Sequence, residues 1–153
     1  MRGKVIEEIN IGDKAEFSKT ITEADIYMFA GVTGDMNPVH INREFAKGTI
    51  FSQRIAHGIL SVGLISNVLG TQLPGPGAVY VRQECNFLKP VYIGDTITAV
   101  VEVIRKEEQK NRVWLRTYCT NQKGQIVVEG EALMMPRKEV KENSVLQFQE
   151  HNV

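Results

Sequence analysis

From Gly58 to Leu69 the chain runs Gly-Ile-Leu-Ser-Val-Gly-Leu-Ile-Ser-Asn-Val-Leu, and on a helical wheel Ile59, Leu60, Val62, Gly63, Leu64, Ile65, Val68 and Leu69 reach every side. A helix with no polar face is expected to be buried all round. Gly70 follows as its natural C-terminal stop. At about a dozen residues the helix is too short to cross a bilayer, which takes roughly twenty. Other parts of the same chain must therefore wrap it.

The wrapping material comes next in sequence. Four stretches with period-2 character, 78–88, 96–104, 113–120 and 125–135, are separated by turn-like segments at 90–95, 106–112 and 121–124. They read as an antiparallel meander. In the first, Val79, Val81, Gln83, Cys85 and Phe87 share one side while Tyr80, Arg82, Glu84 and Asn86 share the other. In the second, Ile97, Ala99, Val101 and Val103 alternate with Thr98, Val100 and Glu102. A sheet with one wet face and one dry face hides an all-apolar helix only by curling around it. The expected class is thus α+β, a curved antiparallel sheet wrapped around a long buried central helix. With 153 residues there is room for one such core and not for two.

Upstream, residues 15–21 form a candidate first strand after the turn Ile11-Gly12-Asp13. Thr20 or Thr22 then offers an N-cap with Glu23 or Asp25 as capping-box partner, and Ile26, Phe29 and Ala30 give a narrow apolar face that should end near Gly31 to Gly34. A further one or two helical turns, Arg43 to Lys47, close at Gly48. Residues 1–136 are expected to form the domain, and 137–153, rich in charge, a polar extension.

Lys and Arg number eighteen and so do Asp and Glu, so no overall field steers the chain to nucleic acid or a membrane surface. The N-terminus turns acidic where a signal peptide would stay apolar, and the expectation is a cytoplasmic protein. Cys85 and Cys119 lie in alternating stretches without metal-ligand spacing and are expected as reduced packing thiols.

The chemistry is expected in Thr33-Gly-Asp35-Met-Asn37-Pro38-Val-His40-Ile-Asn42. Pro38 fixes its own φ, lacks an N–H and pushes Asn37 out of the helical region, so the preceding helix cannot continue through it. Asp35 and His40 must then converge from a turn, an acid and a base aimed at one point where water can be activated. The plain alternative is an Asx-turn aspartate followed by a structural histidine. Just ahead of the apolar helix stands Ala56-His57-Gly58. The free N–H groups and dipole of that helix start suit an oxyanion, with Gly58 leaving room for its approach. For His57, satisfaction by backbone partners is favoured over a catalytic role. No spacing recommends a metal site among Asp35, His40 and His57.

With Gly-Asp-x-Asn-Pro-Val-His, Ala-His-Gly at the start of the buried helix, and the strands in that order, the chain resembles the MaoC-like family of (R)-specific enoyl-CoA hydratases over roughly residues 9–135. The resemblance implies a single hot-dog domain, with Asp35 and His40 holding the water that adds to a trans-2-enoyl thioester. It also implies a polar residue of the helix facing the acyl pocket, by position Ser66. Gly58, Ser66 and Asn37 are thus the candidate substrate-binding residues, although Asn37 also suits a brace for the turn. Where the family often continues x-Asp-Pro after the histidine, this chain has Ile41-Asn42-Arg43, a change expected to act on the cap of the next turn. The implied reaction is reversible hydration to (R)-3-hydroxyacyl-CoA with no cofactor or metal, the partners being acyl-CoA or acyl-ACP and a second subunit in a homodimer. Alternatives are a 3-hydroxyacyl-ACP dehydratase, a thioester hydrolase and a non-catalytic acyl-CoA-binding module. Arg82 and Lys89 are candidates for the phosphates of CoA.

Overall fold

The computed structural model describes residues 2–139. Its sheet holds β1 (Lys14–Thr20), β2 (Val79–Phe87), β3 (Thr96–Glu107), β4 (Arg112–Thr120) and β5 (Ile126–Met135). The order is β1-β3-β4-β5-β2, with every pair antiparallel. Only β3, β4 and β5 form the expected meander. β2 pairs with β5 at the far edge, because the eight residues 88–95, at roughly 3.3 Å each, can cross two strands before β3 begins. A two-residue hairpin could not.

Alternation decides which face is dry. On β3, Ile97, Ala99, Val101 and Val103 are buried, and on β4 Val113, Leu115, Thr117 and Cys119 line the same face. The register places Ala99 beside Cys119 and Val101 beside Thr117. Leu115 lies beside Ala132 of β5. Cys119 is a packing thiol whose pKa burial pushes up to about 12. In β2 the expected alternation fails. A bulge between Tyr80 and Arg82 takes Val81 out of the ladder, so Tyr80 packs on the core with Cys85 while Val79 and Val81 are exposed. Tyr80 donates to Gln83 Oε1, and Gln83 Nε2 donates to the buried Thr117 hydroxyl, which satisfies the one polar side chain in that core row.

Against this face lies α4 (Gly58–Thr71). It touches all five strands. Five flat strands would span about 19 Å and a helix is only about 10 Å thick, so contact with every strand requires the sheet to curl. This is the expected hot-dog arrangement. Leu64, Ile65, Val68 and Leu69 are buried, each worth roughly 1.5–3 kcal/mol against exposure. Two expectations are corrected. Gly70 does not stop the helix, which continues to Thr71 and ends where Leu73, itself buried, turns into the core before Pro74. Nor is α4 buried all round, for Ile59, Gly63, Ser66 and Gly70 are exposed. A sheet can cover only one side of a helix, and here the far side stays open.

The N-terminal helix α1 (Glu23–Thr33) starts at Thr22, whose hydroxyl accepts from Asp25 N–H at 3.2 Å while Asp25 accepts from Thr22 N–H at 2.8 Å. Arg54 holds the incoming 49–56 segment to α1 through Glu23 and the Tyr27 hydroxyl. At the other end, Arg137 donates to Gly3 O at 2.7 Å, so the polar extension expected from 137 is still tied to the domain at its first residue. Its residues from 140 on lie outside those described.

Candidate active site

Gly34 ends α1 in the left-handed region, φ 78°, a conformation that glycine adopts without a Cβ penalty. Asp35 then accepts from Asn37 N–H at 3.2 Å, and Asn37 Oδ1 accepts from Val39 N–H at 3.2 Å. Asn37 is thereby the N-cap of α2 (Pro38–Ile41), with Pro38 at its first position. The proline does more than end one helix: it begins the next. Asp35 comes from the turn, as expected, but His40 rides on a new helical turn. Asn42, where the motif departs from its usual form, caps α3 (Arg43–Lys47) by accepting from Phe45 N–H at 3.0 Å.

His40 is buried, and its Nδ1 lies 2.8 Å from the Ile55 carbonyl oxygen. A carbonyl can only accept, so Nδ1 carries the proton and Nε2 keeps a lone pair in the neutral ring. Burial lowers the pKa of His40 below 6.5, against an opposing pull from the Ile55 bond and with a smaller push from His57. At neutral pH the ring is therefore a free base. His57 stacks on it, ring centres 3.9 Å apart and planes 32° from parallel, with Phe29 at 4.7 Å on His57 as well. His57 Nε2 donates to the backbone carbonyl of Asp35 at 3.0 Å. The backbone partner expected for His57 is thus present, and it belongs to the other half of the acid–base pair.

One ligand atom from each of Asp35, His40 and His57 lies within 4.8 Å of the others. One nitrogen of each ring, His40 Nδ1 and His57 Nε2, is already committed to a backbone carbonyl.

A cavity of about 360 Å³ opens beside this cluster. His40, Gly58, Ile59, Ser61, Phe87 and Val128 are among its walls, and Lys89 lies on it too. A Cβ on Gly58 would meet the Phe87 ring at 2.6 Å, so this glycine is required by close packing as well as suited to a ligand's approach. Asp35 is exposed and not a wall of the cavity. Two expected binding residues are not among these walls. Ser66 lies on the open side of α4, in the row Ile59, Gly63, Ser66, Gly70. Asn37 is exposed, its side chain committed to the cap. Arg82 is occupied by Glu84 and Glu131 on the outer face of the sheet.

The serine that does reach the cavity is Ser61, fully buried, with no hydrogen-bond partner for its hydroxyl. Spacing could have found it, since Ser61 shares the i, i+3, i+4, i+7 row with Leu64, Ile65 and Val68, the row that faces the sheet.

A helix gripped by a curled five-stranded antiparallel sheet, with a buried imidazole on a cavity at the helix start, defines a hot-dog protein. The chain belongs to the MaoC-like domain family, whose description, MaoC like domain, matches residues 7–123. It is 54% identical over 129 residues to the (R)-specific enoyl-CoA hydratase of Rhodospirillum rubrum, covering 84% of this chain and 89% of that one. It is 45% identical over 141 residues to the 3-hydroxybutyryl-CoA dehydratase of Methylorubrum extorquens, covering 91% and 88%. Among solved structures, the unliganded R-hydratase PhaJ1 from Pseudomonas aeruginosa superposes with a TM-score of 0.85 at 44% identity, covering 90% of this chain and 88% of that one.

Proposed function

We propose that this chain is a hydro-lyase, an (R)-specific enoyl-CoA hydratase that adds water reversibly to trans-2-enoyl-CoA and yields (R)-3-hydroxyacyl-CoA. The observation that carries the proposal is the state of His40, buried at the cavity with Nδ1 spent on Ile55 and Nε2 left as a base. In the reaction His40 Nε2 takes a proton from water as the water oxygen bonds to C3. The electron pair of the double bond moves toward the thioester carbonyl, whose oxygen the N–H groups at the start of α4, Gly58 foremost, are placed to receive. The proton that His40 took from water is then delivered to C2, which restores the neutral ring, while Asp35 orients the water and shares the transfer. Atoms balance with water alone, and no electron is gained or lost. Neither a cofactor nor a metal is called for.

Two features support a homodimer. The sheet has exposed edges at β1 and β2, and Met28 and Val32 on α1, both largely exposed, share a shallow apolar pocket with Leu60 and Leu64 of α4. Among the described residues no helix is long and apolar enough to cross a membrane.

The test is loss of the conjugated enoyl-thioester absorbance on adding the purified protein, run with CoA and acyl-carrier-protein substrates in parallel. The wild type should bleach the CoA substrate to a product of R configuration. Asp35→Asn and His40→Ala should each lose at least about 10² in rate, the usual share of acid–base help, with melting transitions retained. Wild-type rates in both variants would refute the assignment.

A further inference from the structure

His57 occupies the N-cap of α4, where Ser, Thr, Asp or Asn would ordinarily bond the helix's free N–H groups, yet its side chain caps nothing. The ring is 2% exposed and its Nδ1 is buried without a partner, which is a poor choice for stability alone. What it does make are two contacts to the acid–base pair. Nε2 donates to the carbonyl of Asp35, and the ring packs against His40 at a tilt of 32°. Among the described residues Asp35 makes no other hydrogen bond to the body of the domain: its remaining bonds, to Thr33 and Asn37, run within the same turn.

We propose that His57 is a positioning residue for the hydration reaction, fixing the turn that presents Asp35 and holding the His40 ring in its plane from the start of the central helix. The proposal rests on the hydratase reading for its kinetic consequence. One segment, residues 56–58, then serves the reaction twice, with Gly58 turned to the thioester and His57 to the groups that handle water.

Atom count gives a sharp test. Nε2 of histidine is four bonds from Cα, as is Nε2 of glutamine, whereas Nδ2 of asparagine is three. His57→Gln can keep the bond to Asp35 O, and His57→Asn and His57→Leu cannot. His57→Gln, which keeps the bond but loses the ring, should fall between the wild type and the other two variants, which lose roughly tenfold to a hundredfold in kcat with KM little changed, as a small misplacement of reacting groups does. Equal rates in Gln and Asn, whether both normal or both low, would overturn the proposal.

A second readout does not depend on turnover. The groups facing His40 are Asp35 from the turn before α2 and His57 from the start of α4. Replacing His57 by Gln removes the neighbour that lowers the His40 pKa and leaves Asp35 in place, so the NMR titration midpoint of His40 should move upward. An unmoved midpoint counts against the contact. Should the wild type show no hydration, the functional proposal falls while this titration still decides the placement of His57.

Discussion

The central strands and the 34–57 segment are held by different forces. In β3, β4 and β5 the residues that matter are apolar, recur every second position and are buried against α4. In the segment from Gly34 to His57, position is set by single bonds from side chains to backbone: Asp35 to Asn37, Asn37 to Val39, Asn42 to Phe45, His40 to Ile55, and His57 back to Asp35. Shared burial in the sheet means that damage is spread over many neighbours. In the segment, one lost bond moves one functional group. Stability and activity are thus entrusted to separate parts of the molecule, and substitutions should separate them as well.

The largest expected effect tests the first half of that contrast. Leu115→Ala empties a fully buried site on β4 and should cost about 2–5 kcal/mol in denaturant unfolding. The activity of each folded molecule should stay near wild type. A low specific activity in fully folded Leu115→Ala would show that the sheet also shapes the site.

Asn37→Ala is the intermediate case, expected to cost about 1 kcal/mol through loss of the cap and to lower kcat because α2 carries His40. Asn37→Ser, which caps as well, should restore both. If serine restores stability and not rate, Asn37 touches substrate and the capping account is incomplete.

The smallest effect has the opposite sign. Ser61→Ala removes a buried hydroxyl that has no partner. The free protein should gain stability by up to about 1 kcal/mol, since such a group costs roughly 1–3 kcal/mol when left unmade. A loss of stability on thermal melting would mean that the hydroxyl is bonded after all.

The same division explains what was legible in the sequence. Ile97, Ala99, Val101 and Val103 report their buried face because burial acts on side-chain type with a period of two. Thr22 with Asp25, and Gly48 after Lys47, report helix ends because caps use a small set of residues. The bulge at Val81 was hidden, since the alternation of residue types runs on through it in the sequence while the faces of the strand change over at the extra residue. The far-edge place of β2 is a long-range pairing with no local mark. In the site, the pairing of Asp35 with His40 was visible as spacing around Pro38. The Ile55 carbonyl that fixes the tautomer of His40 was not, because every residue carries a carbonyl. Ser66, expected in the pocket from its position in the family's helix, lies on the open side of α4, and the row of Leu64, Ile65 and Val68 shows why Ser61 faces inward.

Because Asn37 caps α2 and Pro38 opens it, the distance along the chain from cap to imidazole is a ruler with fixed marks. A helix advances by about 100° per residue. One residue inserted between Pro38 and His40, of any chemistry, would swing the ring to another side of the turn and part Nδ1 from Ile55. Substitution can be absorbed at Val39, whose hydrogen bonds in the segment run through its backbone N–H and carbonyl. A change of length cannot, so this stretch tolerates exchange of letters far better than a change in their number.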